Sequence, residues 1–183
     1  MQQNTQYRVW LLAALLLAAS FGMPGCRKKV ADPDLTIDLS GRFSAVDRGS
    51  SKNFEKQKDV VRKGHRRESL VLIAPAVIRA SLSGISGRAT LQYLAAPVFD
   101  VGDGFLMTVF LRRAGARHRI GDRYFDPGRK VEDRDWIPIA IPLEVQQGDQ
   151  LEIEASGGPQ GDLTADWLAL SDSKLVAGKP NPR

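Results

Sequence analysis

Residues 136–155 read WIPIAIPLEVQQGDQLEIEA, and their reading decides the fold class. Ile137, Ile139 and Ile141 fall on one side of an extended chain, and Leu151, Ile153 and Ala155 repeat the pattern with Glu152 and Glu154 opposite. A period of two is the mark of a strand with one buried face, because successive side chains of extended backbone point to opposite sides. Between the two runs, QQGD at 146–149 is a turn signal. Pro138 and Pro142 lack backbone donors, so the first strand is expected at a sheet edge or with its proline positions unpaired.

The same texture extends outward. LTIDL at 35–39 alternates at Leu35, Ile37 and Leu39, and FLMTVFL at 105–111 is almost wholly apolar, as a central strand covered on both faces would be. Further turn signals stand at SGISG (83–87), VGDG (101–104), DPG (126–128) and GGPQGD (157–162). No segment of the body carries a capped helical stripe, although FEKQKDVVRK at 54–63 has the composition for a turn or two of helix. Many short strands punctuated by Gly and Pro predict an all-β, antiparallel β-sandwich of eight to ten strands over residues 35–178.

Outside that body lies one long apolar run, VWLLAALLLAA at 9–19, with Arg8 before it and FGMPGC at 21–26 close behind. A basic start, an apolar stretch of about ten residues and small residues at its end describe a secretory signal helix. Cys26 is the sole cysteine, so no disulfide within the chain is available to it. The MPGC stretch resembles the signal of bacterial lipoproteins. That resemblance implies cleavage after residue 25, acylation of Cys26, and a chain lipid-anchored to a bacterial membrane, at the outer membrane or the periplasmic face of the inner one. Residues 26–34 then read as a tether, and 179–183 as a disordered tail. An uncleaved signal anchor and an ordinary cleaved signal are the alternatives.

Without residues 1–25 the chain keeps 25 basic residues against 21 acidic ones. The excess concentrates in KNFEKQKDVVRKGHRR at 52–67, where seven Lys and Arg face only Glu55 and Asp59. Such a patch suits anionic headgroups or acidic glycans, or is simply a solvated strand edge. No nucleic acid is expected as partner of a secreted chain.

Catalytic motifs are scarce. His65 and His118 belong to no HExxH, GISG at 84–87 is one residue short of a nucleophile elbow, and GGPQGD has no Lys-Ser or Lys-Thr to hold a phosphate. Aspartates crowd the turns: Asp100 and Asp103 bracket one, and Asp122, Asp126, Asp133 and Asp135 lie in what reads as the next long loop. Asp100, Asp103, Asp133 and Asp135 are candidate ligands of a structural calcium, since hard cations collect oxygen ligands. The competing reading has turn aspartates bonding local backbone and pairing with Arg123, Arg129 and Arg134. For sugar binding, Tyr124 and Phe125 in RIGDRYFDPG are the expected exposed aromatic pair, with Arg123 and Asp126 as hydrogen-bonding neighbours. Trp136 is a further candidate, although it and Trp167 also suit the core or its rim.

From Arg67 to Leu175 the order of pieces resembles a jelly-roll module of the galactose-binding-like class found in bacterial envelope proteins. The pieces are RESLVLIAP, then ATLQYLAAPVFDVGDGFLMTVFLRR, then RYFDPGRKVEDRDWIPIAIPLEVQQGDQLEIEASGGPQGDLTADWLAL. The resemblance implies a Trp-led strand, a Gly-Asp hairpin and a last strand containing Asp-Trp. It also implies a non-catalytic module that needs no cofactor beyond a structural calcium and binds an envelope glycan or protein. Two rival readings are an assembly subunit that binds protein only, and a small glycan-acting enzyme using paired aspartates.

Overall fold

The computed structural model describes residues 35–158, 161, 163 and 165–178; the signal, Cys26, the tether and the tail lie outside them. Eleven strands follow in chain order: β1 (Thr36–Asp38), β2 (Ser44–Ala45), β3 (Phe54–Arg62), β4 (His65–Ile73), β5 (Ala76–Ser81), β6 (Gly87–Pro97), β7 (Phe105–Arg113), β8 (Ala116–Phe125), β9 (Ile137–Val145), β10 (Gln150–Gly157) and β11 (Trp167–Ala177). The single α-helix among the described residues is α1 (Arg48–Lys52), capped by the Asp47 carboxylate, which accepts from the Ser50 N–H at 2.7 Å. That bond satisfies one of the orphan donors at a helix start and holds the Asp47 carboxyl below its ordinary value.

The strands form two antiparallel sheets. One has the order β3-β4-β11-β6-β9, with β1 also pairing β11; the other has the order β2-β5-β10-β7-β8. This is the all-β, jelly-roll-like sandwich expected from the sequence, with β1 and β2 as short additions beyond the expected eight to ten strands. Between the sheets lies one core, in which Phe43, Phe105, Phe125, Leu72, Ile78, Leu91, Leu151, Ile153 and Leu168 are fully buried. Each such side chain contributes about 1.5–3 kcal/mol through the water it releases. Phe105 and Phe125 are register partners on β7 and β8, and their rings stack with centroids 5.1 Å apart.

The expected edge position of β9 is observed: among the described residues it pairs only with β6, and a proline nitrogen on the free side costs no ladder bond. The Gly-Asp turn, however, closes no hairpin. β9 pairs within the first sheet and β10 pairs β5 and β7 in the second, so residues 146–149 carry the chain from one sheet to the other.

Two further differences bear on the site. FEKQKDVVRK forms β3 with no helical turn, because the Lys63–Gly64 turn, with both residues at positive φ, folds it back onto β4. Likewise RIGDRYF is the second half of β8, returned by the Ala114–Gly115 turn, again with both residues at positive φ. A bulge at Ile120 shifts the register from Phe110↔Arg119 to Val109↔Gly121 and sets which side chains of β8 face outward.

Candidate functional site

Three long connections meet at one end of the sandwich: β6–β7 (98–104), β8–β9 (126–136) and β10–β11 (158–166). Pairing brings them together. Phe105 opposes both Phe125 and Gly157, while Pro97 opposes Leu168 and Ala95 opposes Ile137. Close packing then seals the loops to one another. A side chain added at Gly158 would lie 2.2 Å from the Gly104 carbonyl, and one at Gly128 would lie 2.7 Å from that of Gly102.

Charged side chains pin these loops. Asp133, almost fully buried, accepts from Arg123 Nη2 at 2.8 Å and from the Asp126 backbone N–H at 2.9 Å. Arg134 donates from Nε to the Pro127 carbonyl at 2.6 Å. Arg62, at the tip of the β3–β4 hairpin, donates to the carbonyls of Arg134 and Val98, each at 3.1 Å, and pairs with Asp100. Burial lowers the affinity of its guanidinium for its proton. Trp136 completes the link, its Nε1 donating to the His65 carbonyl at 3.1 Å and Arg67 lying over its ring.

The candidate residues read from the sequence therefore separate. Tyr124 lies on the outer face of β8 with 36% of its surface exposed, and its hydroxyl donates to the Asp103 carbonyl at 2.5 Å. Partial burial and the nearby carboxylates of Asp126 and Asp103 raise its proton affinity. Phe125 is a correction: the alternation of β8 turns it into the core, where it cannot face a ligand. Asp126 is buried, and Arg123 is engaged with Asp133 and lies over the Phe125 ring. Trp136 is half-buried with Trp167 and Val98 over Val60, Val71 and Ala169, on the outer side of the six-stranded sheet.

The four calcium candidates do not converge. Asp100 faces Arg62, and Asp133 faces Arg123. Asp135 takes the Trp136 N–H at 2.7 Å and pairs with Lys63, both of which lower its proton affinity. Asp103 sits against Gly158. No group of three or more His, Cys, Asp or Glu among the described residues is placed to hold a metal ion. Calcium would have to displace arginines already neutralising two of these carboxylates.

The loop end holds one aromatic that the sequence reading passed over. Phe99 is 40% exposed and meets Trp167 edge-on at 5.2 Å. Val101, Val131 and Leu163 are exposed on the same three connections. The signal for Phe99 was its place in VFDVGDG, two residues past the end of β6 and leading into a glycine-rich turn.

No family model matches the chain, and no curated protein matches it by sequence. Solved structures match by shape. A CBM51 module from Clostridium perfringens GH95, in complex with methyl-galactose, superposes with a TM-score of 0.53 at 13% identity, over 77% of this chain and 99% of that one. The tandem CBM51 modules of Sp3GH98, the family 98 glycoside hydrolase from Streptococcus pneumoniae SP3-BS71, give 0.52 at 13% identity, over 81% of this chain and 49% of theirs. The CBM22-1–CBM22-2 tandem of Paenibacillus barcinonensis Xyn10C gives 0.52 at 14% identity, over 87% and 53%. At such identities the likeness establishes the fold, a jelly-roll sandwich shared with carbohydrate-binding modules; activity must be argued from the site.

Proposed function

We propose that the chain is a non-catalytic carbohydrate-binding module, displayed at a bacterial envelope by a lipid on Cys26. The observation that carries this reading is the loop end, where Phe99, braced by Trp167, stands exposed on a connection and Tyr124 stands exposed at the adjoining end of β8, the loops there being fixed by Arg62, Arg123 and Arg134. Sugar rings present apolar C–H faces that pack on aromatic surfaces, while the surrounding polar groups take their hydroxyls. Rigid loops lower the entropy lost on binding. The CBM51 neighbour solved with methyl-galactose supports the ligand class by analogy of fold.

A protein partner is the second reading, favoured by Val101, Val131 and Leu163, exposed like Phe99 on the connections of the loop end. A glycan array probed with the full-length chain separates the two. Phe99→Ala and Tyr124→Ala are each expected to weaken glycan capture about tenfold, the loss of roughly 1.4 kcal/mol of contact, with little change in melting temperature. Capture of an envelope protein with no glycan signal would replace the first reading by the second. Metabolic labelling with a fatty-acid analogue tests the anchor: label is expected on the wild-type chain and absent from Cys26→Ala.

A further inference from the structure

The six-stranded sheet is broken at its middle. β4 pairs with β11 only from Trp167↔Ile73 to Leu170↔Leu70, while its pairing with β3 continues to Arg62↔His65. β1 takes up the same edge of β11 from Lys174 onward. Between these two pairings β11 bulges, with Asp172 at a φ of 53° and the register to β6 slipping between Ser171 and Lys174. The wedge left between β4 and β1 is a crevice of about 940 Å³, within the range of small-ligand sites.

Its lining is polar over an apolar floor. Asp38, Glu68 and Asp172 supply carboxylates, Lys56 and Lys174 supply ammonium groups, and Leu70 and Leu170 lie beneath. Arg67 holds Asp172 at 2.6 Å, so the charges around the crevice balance. Ser173 also lines it: the residue is 1% exposed, yet its hydroxyl has no hydrogen-bond partner among the described residues. The hydroxyl of its neighbour Ser171, by contrast, donates to the Glu68 carbonyl at 3.0 Å. A buried hydroxyl without a partner costs about 1–3 kcal/mol. Asp172 and Lys174 continue into an adjoining groove of about 540 Å³, walled by Leu94, Pro138 and Ala140.

We infer that this crevice is a ligand site, separate from the loop end, for a neutral polyhydroxylated molecule of one or two sugar units. Hydroxyls donate to carboxylates and accept from ammonium groups, so a balanced set of both satisfies a polyol without leaving a charge unpaired. A charged ligand would unbalance the set. Ser173 gains the partner it lacks, and the Leu94–Pro138 wall offers an apolar surface to the ring of a second unit. The inference shares the carbohydrate class of the proposed function but rests on other residues.

The test is residue-resolved titration of the full-length chain with cellobiose and methyl-galactose, set against galacturonate and glucosamine, following amide shifts at residues 170–174. The neutral sugars are expected to move these amides. Ser173→Ala and Lys174→Ala should each weaken that response about tenfold, and Ser173→Ala should not lower the melting temperature, since it removes an unpaired hydroxyl. Phe99→Ala and Tyr124→Ala should leave the crevice response unchanged. Shifts confined to the loop end would overturn the crevice and leave the loop reading standing; shifts confined to the crevice would do the reverse. Preference for galacturonate or glucosamine, indifference to Ser173→Ala and Lys174→Ala, or no response to any sugar would each overturn the inference.

Discussion

The two outer faces of the sandwich solve one problem in opposite ways. Both carry buried polar groups, but the five-stranded face closes Glu152 into a net of arginines, whereas the six-stranded sheet leaves the Ser173 hydroxyl open. On the former, Glu152 is 2% exposed and receives Arg79 at 2.6 Å, Arg117 at 2.6 Å and Arg112 at 3.4 Å. Arg117 also reaches Glu154 at 2.5 Å and lies 3.8 Å over the Phe110 ring. The face is a closed net of charge. On the latter, the bulge of β11 parts the sheet, the Ser173 hydroxyl is buried with no partner among the described residues, and loops fold across what remains. A net that already pairs its charges has little to offer a ligand, whereas an unclosed one does. The difference therefore points function toward the six-stranded face and the adjacent loop end.

The comparison can be broken most sharply at Glu152. Glu152→Ala leaves three partly exposed arginines facing one another and should destabilise the fold by about 2–3 kcal/mol, because removing one partner of a buried charge pair strands the rest. Denaturant unfolding would show it as a lower midpoint with unchanged slope; a loss below 0.5 kcal/mol would mean that the net contributes geometry and not stability.

A smaller effect is expected at Asp149, in the turn joining the two sheets. It is 1% exposed, and burial acts to raise its proton affinity, but Arg113 at 2.8 Å and the Gln146 N–H at 2.8 Å prevail and lower it. A carboxyl whose proton affinity falls on folding stabilises the fold above its unfolded titration range, near pH 4, and loses that contribution as pH falls through its folded value. Asp149→Asn should thus lower the melting temperature at pH 7 and flatten its decline below about pH 4.

The smallest effect belongs to Arg67 on the open face. It holds Asp172 and covers Trp136, but its side chain is a third exposed, so Arg67→Ala should cost about 1 kcal/mol or less. An effect as large as that of Glu152→Ala would erase the contrast between the faces.

Much of the fold was legible because alternation and turn chemistry are local. WIPIAIP announced an edge strand and LEIEA a strand with its glutamates outward, and both are observed; FLMTVFL, expected to be central and covered on both faces, is an interior strand one place from the edge, with Leu106 and Phe110 half-buried on its outer face. The site was less legible. Tyr124 and Phe125 are neighbours in sequence, but on β8 they face opposite ways, and the Ile120 bulge helps set which one emerges. The basic stretch at 52–67 showed the same limit. Its local excess of charge is offset by Asp100, Asp135 and Asp172, brought from distant loops to Arg62, Lys63 and Arg67. The overlooked Phe99 sat in a turn whose aromatic had no periodicity to reveal its direction.

By itself the sequence determined an all-β sandwich, the approximate strand boundaries and the expectation of a signal with an acylated Cys26, since periodicity, turn residues and a short apolar run are properties of contiguous residues. Tertiary structure alone decided which strands pair: QQGD looked like a hairpin and proved a crossing between sheets. It also decided that Ser171–Lys174 would bulge between β4 and β1 and open the crevice, because two strands competing for one edge of β11 is a relation between segments far apart in the sequence, Leu70 with Leu170 and Thr36 with Val176. Hydrogen-bond pairing across such distances is fixed by what else the core must bury, and no local pattern records it.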